Sequence, residues 1–375
     1  MDEKTKLQIK IYSIILLIAI SFYFIILRID MVNQWLSEMF GLLFPFIFGI
    51  VVAFLLDKPM MLIEKGLKKL KFDQHWSRTI AAVSALIIGI LVIVLFFVLI
   101  GPQLVDSVRS LIDQAPDMIE SFLIHMNALF DKYDIELSIF NRFFSEDTIA
   151  NLMTTLSNTI KETLPRVVVF GTKVTNTVLN ILIGFIAGLY IMLEKESFMK
   201  AVKSMTYAFL RKDIADYLTR FANITSRVFN DFILGKALDS LIIGILTYVL
   251  MTLFQMPFAP LLSVIVGITN MIPVFGPFIG AIPGVFILTI YDIRVGFYFA
   301  LLILAIQQFD GNILGPIILG DKLGLPSLAI LFSVVVGGGL LGLVGMFIGV
   351  PIFAIIYIAV KEIVDDRLKK KDIEI

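Results

Sequence analysis

This sequence predicts an all-α, polytopic integral membrane protein of about eight transmembrane helices, with re-entrant or broken helices in its C-terminal third. Three observations predict it. The first is the length of its apolar runs: Ile11–Leu27, Thr79–Gly101 (TIAAVSALIIGILVIVLFFVLIG) and Val178–Leu193 are examples. Roughly 20 apolar residues cross a hydrocarbon core of about 30 Å as a helix. The second is composition: 58% of the 375 residues are hydrophobic and 17% charged, where soluble domains carry about 25% charge. Mean hydropathy is +0.95. The third is a charge alternation between the runs, which sets a topology.

Taken in order, residues 1–101 form the N-terminal membrane helices. The run Ile11–Leu27 follows Lys4, Lys6 and Lys10, and reads as a retained span because it lacks a small-residue cleavage site and exceeds a leader's apolar core. The connection Ile29–Gly41 has acids but neither lysine nor arginine, whereas Lys58, Lys65, Lys68, Lys69, Lys71 and Arg78 make the next one basic. Residues 102–165 are dominated by aspartate and glutamate. They read as an extracytoplasmic amphipathic helical region, with apolar residues at three- and four-residue steps from Val105 to Leu129 and again from Ile149 to Ile160. Residues 166–193 form a transmembrane helix. Residues 194–236 are basic again, with a stripe from Ile214 to Val228, and the tail ends in Arg367, Lys369, Lys370 and Lys371. The positive-inside rule places both termini, 57–78 and 194–236 in the cytoplasm and 102–165 outside. The amphipathic stripes suit packing against each other, a neighbouring subunit or the membrane surface.

Residues 237–375 differ from the rest and are expected to form a transport core with re-entrant hairpins and a basic tail. Between Ala237 and Val360 stand only six formal charges: Asp239, Asp292, Arg294, Asp310, Asp321 and Lys322. The run Leu261–Ile290 is too long for one ordinary span and is interrupted by Asn270, Pro273, Gly276 and Pro277. It reads either as a re-entrant hairpin with a non-helical tip beside a transport path, or as two tilted spans. Gly337, Gly338, Gly339, Gly342 and Gly345 crowd a second interrupted run, in which GMFIGVP (Gly345–Pro351) echoes GPFIGAIP (Gly276–Pro283). Interrupted hydrophobic segments in repeated positions point to a carrier's site.

Between them lies QQFDGNILGPIILG (Gln307–Gly320). The expectation is a helix that ends at Phe309 or Asp310, turns at Gly311 and Gly315, and is stopped by Pro316. An aspartate inside a bilayer costs about 2.5–3.5 kcal/mol even on a lenient scale, so Gln307, Gln308, Asp310 and Asn312 should face one another, a cavity or water. Their functional reading is contact with a solute or ion; the plainer one is capping at a helix end. The substrate or ion pathway is therefore assigned to Asp239, Ser240, Asn270, Pro273, Gly276, Pro277, Gln307, Gln308, Asp310 and Asn312. Asp310 is the foremost candidate for ion coupling.

An enzyme is the poorer reading. The chain has two histidines, His75 and His125, both expected in loops, and no cysteine, which excludes disulfides and thiolate chemistry. Ser240 and Asp239 are adjacent on a helix and point in different directions, so they do not make a nucleophile and its base. No cofactor is expected, and the coupling ion consistent with these carboxylates is H+ or Na+. The expected partners are membrane lipid and a small polar solute or ion; a net charge of zero gives no reason to expect nucleic acid. A channel or a structural membrane protein is the remaining alternative.

At LGKALDSLIIG (Leu234–Gly244), GITNMIPVFGPFIGAIP (Gly267–Pro283), QQFDGNILGPIILG, GGGLLGLVGMFIGVP (Gly337–Pro351) and PFIFGIVVAFLLDKPMMLIEK (Pro45–Lys65) the chain resembles the AI-2E family of bacterial transporters. The ordered set covers nearly the whole chain. The resemblance implies a multi-pass protein of the bacterial plasma membrane that forms homo-oligomers. It also implies export of a small polar signalling molecule of the autoinducer-2 type or, as in other members, Na+(Li+)/H+ antiport.

Overall fold

The computed structural model describes residues 28–70, 72–133, 174–318 and 324–371, with isolated positions between 12 and 23. Most of the expected first span, the Ile149–Ile160 stripe, Asp321 and Lys322 lie outside the described residues. The elements are α1 (Ile29–Lys69), α2 (Gln74–Tyr133), α3 (Val174–Phe209), α4 (Lys212–Leu253), α5 (Ala259–Thr269), α6 (Gly276–Tyr291), α7 (Ile293–Phe309), a π-helical turn (Asp310–Leu314), α8 (Gly315–Ile318) and α9 (Ser327–Lys369). Among the described residues all regular structure is helical. Five stretches of the described residues are long and apolar enough to cross a membrane: Gly41–Lys69, Trp76–Met126, Lys212–Leu253, Ile293–Ile318 and Ser327–Lys369. This is an all-α polytopic membrane protein. Ile87, Leu91, Val92, Phe97 and Leu99 of α2 stand exposed on several sides, as suits a rod surrounded by hydrocarbon.

The boundaries expected at 101/102, 193/194 and 236/237 fall inside the continuous helices α2, α3 and α4. No residue there breaks the helical period, and α2 accommodates Pro102 and Pro116 within its 60 residues. Both histidines correspondingly lie in α2 rather than in loops. His125 Nδ1 stands 2.8 Å from the Ser121 carbonyl, one turn earlier.

The chain divides into two compact units, Met1–Ile88 with Thr172–Ser197, and Gly89–Gly171 with Phe198–Ile375. In the first, a Cβ at Gly49 would lie 2.8 Å from the Gly184 carbonyl, and one at Gly188 would lie 3.0 Å from the Gly49 carbonyl. The backbones of α1 and α3 touch where neither has a side chain, as in close-packed membrane helices. Ala53, Met60, Ala81, Ala82, Ala85 and Met192 fill the core beside that contact. Charges collect at one end of it. Lys195 pairs with buried Asp57 at 2.7 Å, and Arg78 reaches Glu196 and the Met192 carbonyl, each at 2.7 Å.

The second unit is built on α4, which packs against α5, α7, α8 and α9. Its core joins Ile243 and Met251 to Leu262, Val266, Leu288, Phe299, Ile303 and Ile306. The α5 and α6 helices have 11 and 16 residues, both short of the roughly 20 a span requires. They pack against each other, so the region is a hairpin rather than two tilted spans. Its turn runs over 270–275, where Val274 sits at φ 67°. Gly276 and Pro277, expected in the non-helical tip, instead open α6; the first helical turn needs no N–H from proline. Gly276 is required there because a Cβ would meet the Thr269 carbonyl at 2.1 Å.

The α9 region is a second hairpin. Gly342, at φ 62° and ψ −143°, holds a conformation that only glycine adopts readily. Beyond it the chain turns back. A Cβ at Gly345 would lie 1.9 Å from the Gly337 carbonyl, and one at Gly349 would lie 2.6 Å from the Ser333 carbonyl. The rings of Phe332 and Phe353 stand 5.4 Å apart, whereas in one straight helix 21 residues would separate them by about 30 Å. Ile272 in the first turn, Val334 and Val350 on the two arms of the second hairpin, and Phe232 of α4 share one core.

Candidate functional site

The α4 helix carries Lys236, Asp239, Ser240, Ile243 and Thr247 on a buried face, at the three- and four-residue steps that put side chains on one side. Lys236 Nζ donates to Asp239 Oδ2 at 2.6 Å. Their side chains are 10% and 1% exposed, so the pair is a buried one. Removing two charges from water costs several kcal/mol per ion unless further hydrogen bonds complete the arrangement. One such bond comes from the first hairpin, where Asn270 Nδ2 donates to the same Asp239 Oδ2 at 3.1 Å. Asn270 is fully buried at the C-terminal end of α5. The hairpin turn thereby delivers a side chain 31 residues distant onto the α4 pair.

Asp310 completes the cluster. It begins the π-helical turn, its carboxyl faces that of Asp239, and it lies in the field of the Lys236 ammonium. The expected chain turn at Gly311 and Gly315 does not occur, because α7 continues through the π-helical turn into α8. Pro316 supplies the reason. It has no N–H for the Asn312 carbonyl and its ring would crowd that group in a regular α-helix; the wider turn relieves both. Single π-turns of this kind occur at functional sites more often than elsewhere.

Among the described residues, the buried polar atoms on α4, α7 and the first hairpin turn that have no hydrogen-bond partner include Asp239 Oδ1, Ser240 Oγ, Asn270 Oδ1 and Gln307 Nε2. Buried groups of this kind are otherwise nearly always paired. Asp239 Oδ1 and Asn270 Oδ1 belong to the two side chains that meet at Asp239 Oδ2, and oxygen acceptors of this kind can hold a hydroxyl donor or a cation. Ser240 also lines a neighbouring apolar cleft of about 240 Å³, with Phe96, Gly244, Tyr248 and Gly267.

The remaining expected site residues are placed differently. Gln308 and Asn312 are exposed and satisfy each other, with Asn312 Nδ2 donating to Gln308 Oε1 at 2.9 Å and to its carbonyl at 2.8 Å. They act as a local helix contact and do not join the cluster. Pro273 stands half-buried in the hairpin turn; Gly276 and Pro277 shape the hairpin without a polar contact. In the sequence Lys236 is the last charge of the basic stretch 194–236. The signal that could have found it is its three-residue spacing from Asp239, at the edge of a long apolar run.

A family model described as AI-2E family transporter matches residues 12–365. The chain is 24% identical over 364 residues to "Putative transport protein YueF" of Bacillus subtilis, covering 94% of this chain and 92% of that protein. It is 26% identical over 324 residues to "Putative permease PerM" of Escherichia coli, covering 84% and 86%. A shorter match of 135 residues, 34% identical, is to the AI-2 transport protein TqsA of Escherichia coli, covering 35% of this chain and 38% of TqsA.

Proposed function

The chain belongs to the AI-2E family of transporters, and from that premise we propose that it is a secondary carrier exporting a small polar signalling molecule of the autoinducer-2 type. One observation carries the reading: at the buried Lys236–Asp239 pair, where the first hairpin turn meets α4, Asp239 Oδ1 and Asn270 Oδ1 are left without a hydrogen-bond partner. A hydroxylated solute can donate to both oxygens, and discrimination is strong where a missing solute hydroxyl would leave buried groups unpaired. The name of the relative TqsA supports the solute class. In this reading the two hairpins and the π-helical turn are the elements that rearrange as the site faces one side and then the other. The carrier sits in the bacterial plasma membrane as a homo-oligomer, with both termini in the cytoplasm. The charge pattern supports that orientation. A cysteine placed at Lys212, unambiguous in a chain without native cysteine, should label only after permeabilisation; labelling in intact cells overturns the orientation.

A second reading, Na+(Li+)/H+ antiport, is favoured by the facing carboxylates of Asp239 and Asp310. Counterflow in proteoliposomes separates the two: the first expects exchange of the autoinducer-2 type molecule without a cation gradient, the second expects Na+ or Li+ flux under an imposed pH gradient. In either case Asp310→Asn keeps size and hydrogen bonding but removes a titrating group. It should abolish pH-driven accumulation and retain downhill exchange. Full pH-driven accumulation by the variant would reduce Asp310 to a helix cap.

A further inference from the structure

We propose that the groove between the end of α4 and the start of α7 binds one zwitterionic phospholipid whose headgroup carries a primary ammonium, as in phosphatidylethanolamine. The groove lies at the opposite end of α7 from Asp310, and the inference does not depend on the export reading.

Its position in the membrane follows from the fold. The α5–α6 hairpin returns the chain to the side at which α4 ends, so Leu253 and Ile293 lie at one boundary. After Asp239, the next charges along the chain are Asp292 and Arg294. Tyr291 and Tyr298 are exposed at the same place, and tyrosine gathers where hydrocarbon meets headgroups. The groove has a volume of about 520 Å³, with walls that include Phe254, Gln255, Met256, Val295, Tyr298 and Leu301. An apolar cavity of about 150 Å³ holds benzene, so a stretch of acyl chain fits here. Phe254, Tyr298 and Leu301 are exposed, which leaves the groove open toward lipid.

The polar groups beside it choose the headgroup. Arg294 precedes Val295 and stands one turn before Tyr298 on α7. It is exposed, and its guanidinium pairs with no carboxylate among the described residues. The Gln255 amide and the Tyr298 hydroxyl also have no protein partner among them. Asp292 Oδ1 accepts the Arg294 backbone N–H at 2.7 Å, which leaves Oδ2 available. Arginine alone would take any phosphate through paired, charge-assisted donors. With a carboxylate two residues away, a headgroup holding both signs fits better than one that is only negative. The phosphate takes Arg294 and the ammonium takes Asp292, while Gln255 and Tyr298 donate to phosphate or ester oxygens. A choline headgroup carries the same charges but has no N–H to give the carboxylate.

The experiment follows lipid retention by native mass spectrometry on the purified, delipidated full chain in detergent. Phosphatidylethanolamine, phosphatidylglycerol and phosphatidylcholine with identical acyl chains are compared. The wild-type chain should hold phosphatidylethanolamine at least about fivefold more tightly than the other two. Arg294→Ala should weaken that retention about tenfold or more. Asp292→Asn, which still caps the helix, should hold phosphatidylglycerol as well as phosphatidylethanolamine. Soluble phosphoethanolamine in large excess should not displace the lipid, because it brings no chain to the groove. Equal retention of the three lipids by the wild-type chain overturns the inference, since the groove would then hold hydrocarbon alone. Unaltered retention by a folded Arg294→Ala overturns it too, as does the wild-type preference persisting in Asp292→Asn. Displacement by phosphoethanolamine would overturn the part assigned to the acyl chain. Should a variant fail to fold, the wild-type comparison decides alone. No solute flux enters these readouts, so they stand whether or not the export reading does.

Discussion

The two hairpins share one construction and differ in what they carry. In the first, Gly276 and Gly280 let the second arm lie against Thr269 and Val266; in the second, Gly345 and Gly349 lie against Gly337 and Ser333. The four-residue glycine spacing falls in each case just past the turn, in the stretches GPFIGAIP and GMFIGVP that echo each other in sequence. The turns themselves are unlike. The first presents Asn270 to a buried carboxylate, whereas the second is made at Gly342 among exposed Leu340, Leu341 and Leu343. The difference teaches that the glycine motif encodes close helix approach, and that chemistry is added by the residue at the turn.

The largest effects should come from breaking what the hairpins share. Gly276→Leu and Gly345→Leu each force a side chain into a carbonyl about 2 Å away, and each should lose about 3 kcal/mol of stability or more. Thermal unfolding in detergent would measure this; a large loss at one and none at the other would end the structural equivalence. A smaller effect should separate them. Asn270→Ala removes a hydrogen bond to a buried charge, worth about 1.5–3 kcal/mol, and should slow solute exchange at least about tenfold. Leu341→Ala at the other turn should leave exchange unchanged, and equal losses would show that both turns touch the solute. The smallest effect is expected at Gly339, where a Cβ would meet nothing within 4 Å. Gly339→Ala should be neutral or stabilising by up to about 1 kcal/mol; a marked loss would mean that this face is covered.

Much of the site was legible because polar residues stand out in an apolar solvent. Asp239, Asn270 and Asp310 are conspicuous in runs of leucine, isoleucine and phenylalanine, and the structure brings all three together. Gln308 and Asn312 were equally conspicuous yet meet only each other, since residues four apart on a helix can satisfy one another without any tertiary partner. Lys236 was hidden for the opposite reason. It ends a basic stretch, and its burial depends on α4 running unbroken from loop to core.

By itself the sequence determined the solvent, the helical class, the interrupted segments and the polar residues that must find partners. Each of these follows from local composition measured against a bilayer that satisfies no backbone or charge. Tertiary structure alone decided which partners are found. Asp239, Asn270 and Asp310 meet because a six-residue turn at 270–275 and a π-helical turn at 310–314 bring distant side chains to one face of α4. Contacts across 31 residues depend on how helices pack, and packing is set by shape at Gly276, Gly280, Gly345 and Gly349 rather than by the polarity that made the site visible.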